Sequence, residues 1–222
     1  MQQQETEQID AATGLRIGSY DEDATQIEAT RRDRLARVRA YRPESQLVVL
    51  GRGSKAAVEL HVEACRADAV SIARRHGGGC AVLLDPGNVV VSVTLPCDEI
   101  GGNTQRFAAL SEWMIQCLAA CGIRGVAHDG ISDLVLGEFK ISGSCIRQWR
   151  DAVYYSATLL VEPDVAAMQR YLAHPPREPA YRRGRSHAEF CLPLAEHEPS
   201  LTTETFLARL DEVHTVMPPP TV

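Results

Sequence analysis

Arg74-Arg75-His76-Gly77-Gly78-Gly79-Cys80-Ala81-Val82-Leu83-Leu84-Asp85-Pro86-Gly87-Asn88-Val89-Val90-Val91-Ser92-Val93 carries two apolar runs either side of a turn. The turn, Asp85-Pro86-Gly87-Asn88, predicts a hairpin-type join between strands over 80–84 and 89–95. A triple glycine stands before the first strand. Glycine loses more backbone entropy on folding than any other residue. Such a run is tolerated where the backbone must approach a ligand closely, with its N–H groups aimed at an anion. Two arginines precede it, and the planar guanidinium suits bidentate binding of carboxylate or phosphate. A glycine-rich turn between solvated charges would carry the same letters, so these residues alone leave both readings open.

Upstream, 46–50 reads as a buried strand ending at Gly51, and 57–68 as a helix with Val58, Val62 and Cys65 on one face. A strand over 70–73 feeds the arginines. Farther upstream, 23–40 predicts one helix with Ile27, Leu35 and Val38 inward. Tyr41-Arg42-Pro43 closes it, because the residue before proline disfavours helix. Downstream, Asn103 is a candidate cap for a helix whose stripe runs Phe107, Leu110, Met114, Leu118 and Cys121 and stops at Gly122. Strands are expected over 125–127, 133–136, 140–148 and 153–161. A helix starts at Pro163-Asp164, a proline- and arginine-rich loop covers 175–186, and a last helix covers 202–213. Strands joined by short links, without βαβ alternation, predict an α+β fold.

A chain of 222 residues can bury one full core, expected over 16–216 between a disordered tail at 1–15 and a short tail at 217–222. The net charge of −6 argues against a nucleic-acid partner. No apolar run nears the ~20 residues of a membrane span. Met1-Gln2-Gln3-Gln4-Glu5 lacks the basic start and apolar core of a secretory leader. Seven cysteines, an odd number, then point to reduced thiols in the cytoplasm. None stands in a tight Cys-x-x-Cys group, so a cysteine-held metal is not expected.

The central stretch resembles the signature of the lipoate–protein ligase A family, with two arginines, a glycine triplet, an aspartate and a Gly-Asn pair in this order and spacing. The resemblance extends upstream to Leu47-Val48-Val49-Leu50-Gly51-Arg52-Gly53. It reappears downstream at Ser132-Asp133-Leu134-Val135-Leu136-Gly137-Glu138-Phe139-Lys140-Ile141-Ser142-Gly143-Ser144. It implies a biotin/lipoate ligase-like catalytic domain, a mixed β-sheet with helices outside. It also implies an ATP-dependent ligase that activates lipoate to lipoyl-AMP, with Mg2+ accompanying the ATP. The lipoyl group would pass to a lysine of an acceptor domain, in 2-oxoacid dehydrogenase complexes or the glycine-cleavage H protein. A monomer is expected. Nothing long enough for the family's C-terminal accessory domain follows Val216, and family members without that domain can depend on a separate accessory polypeptide.

Lys140 is one of only two lysines among 23 basic residues, which suits a site needing a compact ammonium rather than a planar fork. In the family the matching lysine contacts the carbonyl and phosphate of the acyl-adenylate. Arg74, Arg75, His76, Gly77, Gly78, Gly79, Asp85, Asn88, Ser142 and Gly143 are the expected substrate and adenylate residues, although for Asp85 and Asn88 the turn role is favoured. Asp133 either holds Mg2+ or caps a turn. Four features depart from the family. His76 replaces a serine, Cys80 and Cys145 replace alanines, and Tyr154-Tyr155-Ser156-Ala157-Thr158-Leu159-Leu160 stands where His-His-Gly-Thr-Leu-Leu is common. They keep two alternatives open: an ATP-independent octanoyl or lipoyl transferase using a Cys145 thioester, and a non-catalytic protein binding an acyl-adenylate or a lipoyl domain.

Overall fold

The computed structural model describes residues 7–220. β1 (Gln8–Ile9) and β2 (Arg16–Ser19) pair antiparallel around a turn pinned by Asp10. Its Oδ1 accepts from Thr13 N at 3.0 Å and Thr13 Oγ1 at 2.7 Å. Leu15 and Ile17 enter the core. The expected disordered tail is thus corrected for residues 7–15; residues 1–6 lie outside the described residues. A two-residue exposed strand offers no periodicity to read.

The single helix expected over 23–40 is instead α1 (Ala24–Asp33) followed by β3 (Arg37–Tyr41). Arg34 ends α1 in the left-handed region, φ 64°, with its N–H on Thr30 O. Beyond it the side chains alternate with period two, a strand pattern hidden by arginines that also suit a helix. β4 (Leu47–Leu50) is apolar throughout. The helix expected over 57–68 is broken into α2 (Ala56–Glu59) and α3 (Val62–Ala67), because Leu60 is extended and bridges Leu172. β5 (Ile72–Arg74) runs parallel to β2 and β4, and β6 (Val82–Leu84) antiparallel to β4. The first sheet is therefore mixed, in the order β1-β2-β5-β4-β6.

β7 (Asn88–Pro96) belongs to a second sheet, so the hairpin expected between 80–84 and 89–95 does not form. The turn carries the chain from one sheet to the other. Asp85 Oδ1 accepts from Gly87 N at 2.7 Å and its Oδ2 from Asp164 N at 2.9 Å, while Asn88 Oδ1 accepts from Asp85 N at 3.1 Å. A Cβ on Gly87 would collide with Glu162 O. The turn is thus held by a segment some 75 residues away in sequence, which its own letters cannot report. Val49 and Leu84 from the first sheet meet Val90 from the second at the seam.

α4 (Asn103–Ala120) follows; Gly102, φ 72°, caps it, and Asn103 is its first residue. β8 (Val126–Asp129), β9 (Asp133–Leu136), β10 (Phe139–Gln148) and β11 (Ala152–Leu160) complete an antiparallel sheet ordered β3-β7-β11-β10-β9-β8. α5 (Val165–Tyr171) is capped by Asp164, which accepts from Ala167 N. α6 (His187–Phe190), α7 (Leu194–His197) and α8 (Thr203–Val216) end the fold, with Thr202 capping α8. Met114, Leu118, Phe206 and Leu210 pack on Val91, Val93 and Tyr155 of the second sheet. Met168 and Leu172 pack with Val48 and Leu50 of the first. Each such side chain contributes about 1.5–3 kcal/mol on burial. The expected α+β class holds, with its β-structure split into two sheets.

Candidate active site

β5 delivers Arg74 and Arg75 to the glycine triplet, and both guanidinia turn onto backbone. Arg74 Nη1 donates to Gly51 O at 2.8 Å and Ser54 O at 2.9 Å. Arg75 wraps the triplet, with Nη2 donating to Gly78 O at 2.7 Å and Cys80 O at 2.8 Å, and Nη1 to Val49 O at 3.1 Å. Two of the three glycines have separate reasons. A Cβ on Gly77 would strike Cys145 Sγ, and Gly79 has φ +92°. Gly78 faces open space. Gly79 O lies where a Cβ on Gly51 would stand. Beneath the loop, Glu59 is only 5% exposed, and its Oε2 accepts from Ala81 N at 2.6 Å and Ser54 Oγ at 2.9 Å. Ser54 and Glu59 were not expected in the site; a glutamate on a buried helix position was their one signal.

Lys140 lies where β10 shifts register against β9. Its Nζ donates to Asp133 Oδ1 at 2.8 Å, and Asp133 Oδ2 accepts from Tyr181 OH at 2.9 Å. A Cβ on Gly143 would stand 2.8 Å from Nζ, so that glycine makes room for the ammonium. Ser142 Oγ is buried without a partner. The segment after α5 crosses this point: Leu192 N donates to Lys140 O at 2.8 Å, and Arg185 Nη2 to Glu138 O at 2.9 Å. Arg182 stands 4.8 Å from the Phe190 ring centroid. Burial, then the positive charges of Arg182, His174, Lys140 and His61, push the His187 imidazole down to about 4. Lys140 is paired with Asp133, and Arg182 and His174 both stand near Glu178. Tyr181 and Arg182 were missed, since the arginine density of 175–186 was the only hint.

The Tyr154–Tyr155 departure splits between the two faces of β11, as successive strand residues must. Tyr155 is buried toward α4, edge-on to Phe107 at 6.3 Å between centroids. Tyr154 OH donates to Asp23 Oδ2 at 2.7 Å. Asp23 is 4% exposed and also accepts from Ser92 Oγ at 2.7 Å and, at 3.4 Å, from Tyr41 OH. Next to it is a cavity of about 10 Å³ lined by Asp21, Asp23, Arg75, His76, Tyr20 and Tyr154. His76 Nε2 stands 3.3 Å from Asp21 Oδ1. Asp23 carried no sequence signal beyond its place at a helix start.

Burial pushes the Cys145 thiol up, against the pull of the Arg75 guanidinium. Asp85 and Asn88 direct their side-chain oxygens at the crossing turn, leaving Asn88 Nδ2 buried and unpartnered. Among the described residues no group of three or more His, Cys, Asp or Glu is placed to hold a metal. Both Asp133 oxygens are engaged, Oδ1 by Lys140 and Oδ2 by Tyr181.

Residues 22–214 match the family described as lipoyl protein ligase A/B catalytic domain. A probable lipoate-protein ligase A of Mycoplasma genitalium is 26% identical over 84% of this chain and 55% of its own length. Other curated relatives are covered to a similar or smaller extent, so the chain spans about half the length of the curated relatives it matches. The structure of a bipartite lipoate protein ligase from Thermoplasma acidophilum, described with its E2 lipoyl domain, superposes with TM-score 0.73 at 20% identity, over 93% of this chain and 85% of that one. A structure of lipoate-protein ligase A bound with ATP gives TM-score 0.70 at 20% identity, over 88% and 81%. These likenesses show the same fold.

Proposed function

Because the chain belongs to the lipoyl protein ligase A/B catalytic-domain family, we propose that it is an ATP-dependent lipoate–protein ligase. The acid's carboxylate attacks the α-phosphate of ATP, pyrophosphate leaves, and the acyl-adenylate remains bound. The ε-amine of an acceptor lysine then attacks the acyl carbonyl, AMP leaves, and the amine loses a proton as the amide forms. The observation that carries this reading is the Lys140 ammonium, 26% exposed and fixed by Asp133 above Gly143. There it can stabilise negative charge on the carbonyl and phosphate oxygens as transfer proceeds. Tyr181 holds Asp133 from the other side. Arg75, with Ser54 and Glu59, holds the triplet whose backbone faces the adenylate, and the covering segment 175–194 keeps water from the mixed anhydride. Mg2+ enters with the nucleotide as part of the substrate, and none of these residue roles runs through it.

The acceptor in this reading is a lipoyl domain, and the Thermoplasma relative, described with its E2 lipoyl domain, supports that class of partner. The same relative is bipartite, which supports a separate accessory polypeptide. The transferase alternative needs an accessible thiolate, whereas Cys145 is buried and its thiol held up. ATP–pyrophosphate exchange dependent on lipoate, with octanoate, decanoate and biotin alongside, tests the reading. Exchange driven by lipoate is the expected result; acyl transfer without ATP would replace the ligase with the transferase.

A further inference from the structure

We propose that the surface around the glycine triplet docks an acidic acceptor domain, which meets Arg52, Lys55 and Arg177 there. The inference rests on the ligase reading for what must reach the site, and it names the surface that this protein meets. Gly143, which makes room for Lys140 Nζ, and Cys145, on which Gly77 packs, stand two residues apart on regular strand. They point to one face, so the ammonium and the triplet share it about 7 Å apart along the strand. An acceptor lysine has to arrive at that spot. The surface around the lysine then lies against whatever borders the triplet.

Three exposed cations border it, each tied to the loop through the backbone. Arg52 N donates to Gly77 O at 2.9 Å. Lys55 follows Ser54, whose Oγ lies 3.1 Å from Gly79 O. Arg177 O lies 3.8 Å from Cys80 Sγ. None of the three has an ion-pair partner among the described residues, and the adjacent Glu178 is taken by His174 and Arg182. Val58, 51% exposed, comes one turn after Lys55, with its N–H on Lys55 O at 3.0 Å. An apolar side chain beside the cations suits a protein surface better than a free phosphate. The chain as a whole carries −6, but Glu112, Asp211 and Glu212, exposed and without ion-pair partners, stand on α4 and α8. Those helices pack on the Tyr155 side of the second sheet, and the triplet on the Cys145 side. With a screening length of about 8 Å in physiological salt, an approaching domain feels the rim and not the far face. Exposed cations of this kind govern encounter and orientation more than the strength of the final complex.

Titration of an isotope-labelled acidic lipoyl domain with the full chain, followed by NMR shifts, tests this. The same domain with its surface carboxylates replaced by amides serves as comparison, and pyrophosphate exchange with lipoate and ATP, which needs no acceptor, is run beside it. Binding of the acidic domain is expected to weaken as salt is raised. It should fall at least about tenfold with the amide domain, and likewise with the Arg52→Glu/Lys55→Glu chain. Exchange by that chain, and its KM for ATP, should be unchanged; Arg52→Gln/Lys55→Gln provides a second pair should the first not fold. Equal binding of the two domains, unchanged binding by the folded variants, binding of neither domain, or a raised KM for ATP in place of weakened docking overturns the proposal. Charge-dependent docking without exchange would sink the ligase reading and keep this inference; exchange with charge-blind docking would do the reverse.

Discussion

Lys140 owes its position to two small facts, a carboxylate 2.8 Å away and a missing side chain at Gly143. Lys140→Ala should abolish acyl transfer and lower stability by about 1–3 kcal/mol, because it leaves the buried Asp133 carboxylate without its ammonium partner. Lys140→Arg should fail too, since a planar fork cannot replace the ammonium over Gly143. Gly143→Ala offers a sharper test. Its methyl would press on the flexible end of Lys140 and touch Asp133 Oδ1 at an ordinary 3.5 Å, so it should displace the ammonium and reduce transfer many-fold with a stability loss of about 1 kcal/mol. Normal transfer by folded Gly143→Ala protein would remove Lys140 from the chemistry. Cys145→Ala should cost about 1 kcal/mol and leave transfer near its original rate, whereas a thioester mechanism requires its complete loss.

The glycine loop shows how element-scale geometry divides a motif that looks uniform as letters. Gly77 is small because Cys145 lies against it, and Gly79 because its backbone is left-handed. Gly77→Ala should destabilise by about 1–3 kcal/mol through overpacking. Adding Cys145→Ala should restore part of that, a coupling readable from denaturant unfolding of the four-member cycle. Independent, additive losses would mean the two residues do not touch. Glu59→Ala should also cost about 1–3 kcal/mol, by leaving the Ala81 N–H and Ser54 hydroxyl without their acceptor. The strands from 133 to 161 were legible because apolar spacing reports them directly. The break at Leu60–His61 and the switch from α1 to β3 were not, since each is set by a distant partner: Leu172 in one case, the edge of β7 in the other. Lys140, Gly143 and the triplet were legible as a motif, but Ser54, Glu59, Tyr181 and Asp23 reach the site through tertiary contacts that no spacing encodes.

At the scale of the molecule, two sheets joined at Asp85-Pro86-Gly87-Asn88 place the triplet from one against Cys145 from the other. The burial of His187 has a consequence for stability. Burial pushes the His187 imidazole down to about 4 from its ordinary 6.5, so below that higher value the unfolded chain binds a proton the folded chain refuses. Stability is therefore complete above the unfolded value and declines as pH falls toward about 4. His187→Gln should flatten that part of the pH profile, measured by urea unfolding across the window. An identical slope in the variant would assign the loss to other groups.

The central claim is that an acid is activated with ATP and transferred at a site built around Lys140. Intact-mass measurement of a lipoyl domain incubated with this protein, lipoate and ATP tests it most directly, with omission of ATP and Lys140→Ala as comparisons. The account predicts an acceptor heavier by one lipoyl group, only when ATP is present and only with Lys140 intact. An acceptor acylated equally well without ATP, or by the folded Lys140→Ala chain, would contradict it.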